Sequence, residues 1–148
     1  FATYMTGEIH DVLLRHSILG RMSEPGAVDT AAFTAGVERA LASRRAAPGR
    51  LLHDLFSART LALTGGLLAP AVPGYLSGIL IGAEVTAAAA DGGDGELTVL
   101  GSDALAALYV RAAGVCGLRA SPGPADAAAR GLYAIARAAG LIAAPSDA

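Results

Sequence analysis

The chain has 148 residues, 53% hydrophobic and 16% charged, with a formal net charge of −2. That length supports one domain with a sizeable core, and that composition excludes disorder as the default state. The small net charge and scattered arginines give no electrostatic footprint for nucleic acid. A single cysteine, Cys116, excludes a disulfide framework within the chain and points to a reducing, cytoplasmic compartment.

Residues 1–6 read as a strand, with Ala2, Tyr4 and Thr6 alternating against Phe1, Thr3 and Met5. Gly7 breaks it, and a helix is expected from about Glu8 to Met22 with Ile9, Val12, Leu13 and His16 on one stripe. His16, on that stripe, reads better as a core histidine than as a ligand. Ser23 to Val28 is a loop, and Asp29 is a good N-cap for a helix running to about Arg45. Phe33, Val37, Ala40 and Leu41 should form its buried face, with Pro48-Gly49 as the following turn. A short helix over about Arg50 to Ala58 groups Leu51, Leu52, Leu55 and Phe56, and its periodicity turns His53-Asp54 to solvent. Leu61 to Leu68 fits helix or irregular chain, because Gly65-Gly66 weakens both.

Pro73 suits a helix start. From there to about Ala90 runs the strongest helical pattern, with Leu76, Ile79, Leu80 and Ala83 on its buried side. Ser77, Gly78 and Gly82 leave a side where another backbone can approach closely. No window reads as a membrane span: the most apolar stretch, Leu67 to Ala90, carries Pro70, Pro73, Gly74, Gly78, Gly82 and Glu84, whereas a bilayer helix needs about 20 apolar residues in a row. Asp91 to Gly95 is a turn, Glu96 to Leu100 a strand, and Gly101-Ser102-Asp103 a strand-to-helix turn opening a helix to about Gly114, which Asp103 or Ser102 can cap. A short strand at Leu118 to Ala120, ended by Pro122-Gly123-Pro124, and an amphipathic helix over about Ala125 to Ala139 complete the pattern, with Gly140 just past the helix end. The order is that of an α/β fold with few strands and many helices. Two or three strands make a poor sheet alone, so further strands are expected upstream of Phe1.

Two turns have the form of an anion or nucleotide site, Thr6-Gly7-Glu8 and Gly101-Ser102-Asp103. Each is expected to follow a strand and open a helix, where free amides and the helix dipole meet a ligand and glycine admits it closely. Each is also what an ordinary strand-to-helix turn looks like. If both strands lay parallel in one sheet, the turns would converge on one edge of a cleft. Glu84 can reach a neighbouring loop, a substrate or an ion-pair partner. His10, His16 and His53 have no Cys or carboxylate neighbours at ligand spacing, so no metal site is expected. There is no Walker A, no Gly-x-Ser-x-Gly elbow and no Rossmann glycine fingerprint.

Several blocks in order carry a resemblance. They are Met5 to Glu8, His16 to Gly20, Ala32 to Arg39, Leu51 to Thr60, Tyr75 to Val85, Leu97 to Tyr109 and Ala128 to Leu141, and the Tyr75–Val85 block is the most specific. Together they are similar to the second half of the 2-dehydro-3-deoxygalactonokinases, a sugar-acid kinase family resembling the actin, hexokinase and Hsp70 group. The resemblance implies two ribonuclease-H-like lobes with ATP between them, of which residues 1–148 would be the C-terminal one. It implies transfer of phosphate from MgATP to the 6-hydroxyl of 2-dehydro-3-deoxy-D-galactonate. Both phosphate loops and the catalytic Asp would lie in the absent N-terminal part, leaving no catalytic residue assigned here. Thr6, Gly7, Glu8 and Asp11 would flank the adenosine, and Gly101-Ser102 looks like the group's adenosine motif, which usually carries two successive glycines. The partners implied are a sugar acid and the N-terminal lobe, with no nucleic acid or membrane; a homo-oligomer stays open. A chain holding half a cleft is expected to be inactive alone. The competing reading is a non-catalytic, α-rich interaction module, which should close its own core where a fragment should not.

Overall fold

A computed structural model describes residues 2–46, 49–92 and 96–142. Its helices are α1 (Thr6–His16), α2 (Thr30–Ala46), α3 (Leu51–Leu63), α4 (Val72–Gly92), α5 (Asp103–Val115) and α6 (Ala127–Ala138), with short 3-10 turns at Gly20–Met22 and Ala69–Ala71. Two strands, β1 (Leu97–Val99) and β2 (Ala120–Pro122), flank α5 and pair in parallel, Leu97 opposite Ala120 and Val99 opposite Pro122. The fold is thus mostly helical α/β, with one β–α–β unit.

The core is organised around α4. Val72, Tyr75, Leu76, Ile79, Leu80, Ile81 and Val85 are all buried, and α1, α2, α3 and α5 all pack on the helix. A helix apolar on every side must be covered on every side. By length and composition alone Ala69–Ala90 could cross a bilayer, but 67% of its apolar window is buried inside the chain, as in the central helix of a folded core. Its first half joins Leu19, Leu55 and Ala58 to Ile9, Leu13 and Leu14 of α1. Its second half joins Phe33 and Val37 of α2 to Ala112 and Ala113 of α5, with Leu97 of β1 packed alongside.

The α2–α4 contact is nearly backbone on backbone. A Cβ placed on Gly78 would collide with the Phe33 carbonyl. One on Gly36 would collide with the Tyr75 carbonyl and stand 3.0 Å from the Gly78 Cα. One on Gly82 would stand 3.0 Å from the Val37 Cα and 3.2 Å from the Ala40 Cβ. Gly78 and Gly82 therefore mark the close approach that their spacing predicts. Asp29 caps α2 as expected, its Oδ1 accepting from the amides of Ala31 and Ala32 at 2.9 Å each.

Several expectations are corrected. Residues 2–5 form no strand, and α1 already begins at Thr6. An alternating segment becomes a strand only when a neighbour takes its hydrogen bonds, and the described residues offer it none. The first helix stops at His16, not Met22. Ser17 is extended (φ −116°, ψ 170°), and its hydroxyl donates to the Leu13 carbonyl at 2.6 Å and accepts from the Leu19 amide at 3.0 Å. The face of α1 that meets the core carries Ile9, Leu13 and Leu14, whereas Val12 and His16 are exposed. Along α3, Leu52 is 82% exposed and Phe56 is exposed too, while Asp54 is only 2% exposed. The Asp54 carboxylate accepts from Arg39 Nε and Ser43 Oγ of α2, both at 2.8 Å, and that pairing turns the helix away from its apolar pattern. Leu41 is half-buried, and β2 lies two residues beyond its expected position. The expected turns at Pro48-Gly49 and Asp91–Gly95 lie partly outside the described residues, although Gly49 has the positive φ of 93° that a turn glycine supplies.

Gly82→Leu should overpack the α2–α4 contact and cost on the order of 1–3 kcal/mol. An unchanged melting temperature for this variant of the intact protein would show that the contact is not tight.

Candidate functional site

Gly101 and Ser102 join β1 to α5. Ser102 is extended (φ −64°, ψ 152°), and its hydroxyl accepts the Leu105 amide across a long 3.4 Å bond, so of the two expected candidates Ser102, not Asp103, caps α5. Both residues are exposed. A Cβ on Gly101 would meet only Leu105 Cδ2, at an ordinary 3.8 Å. The chain's own packing therefore does not demand glycine here, which leaves open the space above the turn.

Beneath the turn lies a cavity of about 360 Å³ between α4, β1 and α5, lined by Leu97 to Leu100, Leu105, Glu84 and Tyr109 among others. Its walls are mainly aliphatic. Its polar feature is a hydrogen bond from Tyr109 Oη to Glu84 Oε2 at 2.7 Å, so Glu84 finds a phenol rather than an ion-pair partner. Burial, reinforced by that bond and by the Glu84 charge, pushes the Tyr109 phenol well above its usual range.

Thr6 is the first residue of α1, and Gly7, Glu8 and Asp11 are exposed on it. No side chain caps this helix. A Cβ on Gly7 would meet nothing within 4 Å, and Asp11 pairs with Arg15 at 2.7 Å on the surface. This helix packs on the Val72–Leu80 half of α4, whereas β1 and α5 join the cluster around Ile81 and Val85. The strand on which the convergence of the two turns depends is absent from residues 2–5. The described residues thus place Gly101-Ser102 beside a cavity and leave Thr6, Gly7, Glu8 and Asp11 on a separate flank.

Sequence reasoning missed the polar centre of Asp54, Arg39 and Ser43, which lies beside a second cavity of about 330 Å³ flanked by Arg44, Arg50 and Thr86. The available signal was the i, i+4 placement of Arg39 and Ser43 on one face of α2. Cys116 is half-buried, its thiol pushed up by burial against the opposing pull of Arg45. Among the described residues, no three His, Cys, Asp or Glu side chains gather as metal ligands would.

Comparison with known proteins bears on the whole chain. The family model for 2-keto-3-deoxy-galactonokinase matches residues 1–135. The chain is 44% identical over 85 residues to the 2-dehydro-3-deoxygalactonokinase of Escherichia coli (strain K12), covering 57% of this chain and 27% of that protein. It is 40% identical over 144 residues to a probable 2-dehydro-3-deoxygalactonokinase of Rhizobium meliloti (strain 1021), covering 93% of this chain and 45% of that one. A crystal structure from Sinorhizobium meliloti, of a protein with the provisional name 2-dehydro-3-deoxygalactonokinase, superposes with a TM-score of 0.81 at 38% identity, over 100% of this chain and 48% of that one. The chain belongs to the 2-keto-3-deoxy-galactonokinase family. It spans less than half the length of each of these relatives.

The Tyr109 phenol is raised above its unfolded value of about 10. Its contribution to stability is therefore fully present below about pH 10 and is lost as pH rises through the folded-state value. An ultraviolet phenolate titration should contain one late-ionising tyrosine, and Tyr109→Phe should remove that step. Persistence of the step in the variant would assign it to another residue.

Proposed function

We propose that the protein containing this chain transfers phosphate from MgATP to the 6-hydroxyl of 2-dehydro-3-deoxy-D-galactonate, as a cytoplasmic sugar-acid kinase. Residues 1–148 are its C-terminal, nucleotide-side lobe, built on a ribonuclease-H-like plan, and are inactive alone. The observation that carries this reading is the family match over residues 1–135, in a chain about half as long as relatives bearing the kinase name. Two surfaces support the fragment over a self-contained interaction module. Among the described residues β1 pairs with β2 alone, leaving its other edge free for a further strand. The amphipathic α6 buries none of its residues, with Leu132 68% and Ile135 67% exposed.

Phosphoryl transfer depends mainly on positioning and electrostatic stabilisation. In this reading Gly101 lets adenosine pack against bare backbone, and Ser102 holds the first turn of α5 in place beside it. Thr6, Gly7, Glu8 and Asp11 are assigned to the nucleotide by the family resemblance alone, because α1 packs on the other half of α4. The first phosphate loop and the catalytic Asp are assigned to the N-terminal lobe, and the second phosphate loop to the segment just before Phe1.

Gly101→Val in the full-length protein should raise the KM for ATP more than that for the sugar acid, measured by coupled ADP release. If the turn is an ordinary one, stability shifts and both constants stay put. The same assay with 2-dehydro-3-deoxygluconate tests the substrate, because preference for that epimer would keep the kinase and overturn the galactonate assignment.

A further inference from the structure

The fully buried face of α5 carries only small side chains, with Leu108, Tyr109 and Val115 packed part-buried beside it. The residues α5 buries are Ala106, Ala112 and Ala113, whereas Leu105 is exposed and Leu108 only half-buried. Small methyl groups give little relief to interlock, so they hold two helices together without strongly fixing how far one slides or rolls on the other. Among the described residues, the one side-chain hydrogen bond between the two helices is that from Tyr109 to Glu84. It is short and charge-assisted, hence strongly directional. Tyr109 stands seven residues, or about 10 Å of helix, beyond Ser102. The cavity extends from this bond to Leu100 and Leu105, on either side of the turn, so little packing supports the turn from below.

We infer that Glu84 and Tyr109 are positioning residues for the nucleotide turn: their hydrogen bond sets the register of α5 on α4 and thereby fixes where Gly101 and Ser102 stand. This rests on the reading of that turn as the adenosine site. Neither side chain needs to touch the nucleotide. Breaking the bond lets α5 shift, and the turn moves with it.

The test uses the full-length protein with MgATP and 2-dehydro-3-deoxygalactonate. Tyr109→Phe and Glu84→Ala should each raise the KM for ATP several-fold while leaving the KM for the sugar acid near its starting value. The double variant should be no worse than either single one, because both remove the same bond. Glu84→Gln keeps an acceptor oxygen at the same place and should recover part of the loss seen in Glu84→Ala. A fall in melting temperature with no selective change in the KM for ATP would overturn the inference and leave the bond purely structural. Gly101→Val measured alongside separates the two claims. If it raises the KM for ATP and Tyr109→Phe does not, the positioning role fails alone; if neither does, the nucleotide reading of the turn fails with it.

Discussion

The contact between α2 and α4 is the constraint on which the rest of the chain depends. Gly36 faces Gly78 across it, Gly82 lies against Val37 and Ala40, and the Gly78 Cα line runs against the Phe33 carbonyl. Helices that approach this closely gain dispersion contacts along their backbones, but any added side-chain carbon must push the pair apart. Because α4 also carries α1 and α3 on its first half and α5 on its second, a displacement of α2 would disturb both core clusters. The price of the glycines is backbone entropy, roughly 0.5–1 kcal/mol each relative to alanine in a helix, which the packing must offset.

Two polar links fix what the apolar surfaces leave loose. Asp54 ties α3 to α2 through Arg39 and Ser43, and Glu84 ties α4 to α5 through Tyr109. Both acids sit where an apolar residue would give cohesion without direction. A buried or half-buried carboxylate is tolerated only where donors meet it, so each position specifies its partner helix as well as its own. On the α5 side this bond lies behind the turn that, among the described residues, combines an unhindered glycine, a capped helix start and a cavity.

Much of the fold is legible where the signal is local. The Asp29 cap, the Gly78/Gly82 approach, the strand before Gly101 and the Ser102 cap all follow from residues close in sequence to the structure they make. Gly140, with φ of 71°, ends α6 as a glycine beyond a helix should. Apart from the early end of α1, which Ser17 sets locally, the main misreadings involve a partner far away in the chain. Residues 2–5 alternate like a strand but have no neighbour to pair with. Leu52 and Phe56 look like core until Asp54 is drawn inward by Arg39, fifteen residues earlier. His16 and Val12 fall outside because α4 meets α1 along Ile9 and Leu13 instead. At the candidate site, the strand-to-helix turn at Gly101-Ser102 is readable from its composition, but the cavity and the Tyr109–Glu84 bond behind it depend on how α4 and α5 pack. The link between that turn and Thr6–Asp11 depends on a sheet to which residues 2–5 do not contribute.

The surfaces open among the described residues, the free edge of β1 and the apolar side of α6, fit a chain that spans under half of its relatives' length. In the proposed reading a core closes around α4 while the catalytic cleft does not, because folding needs buried area whereas phosphoryl transfer needs accurately positioned groups. The most direct measurement is ADP release from MgATP with 2-dehydro-3-deoxygalactonate, run in parallel on residues 1–148 and on the full-length protein. Turnover by the full-length protein with none by residues 1–148 is the expected result. Turnover by residues 1–148 alone, or by neither, would contradict it.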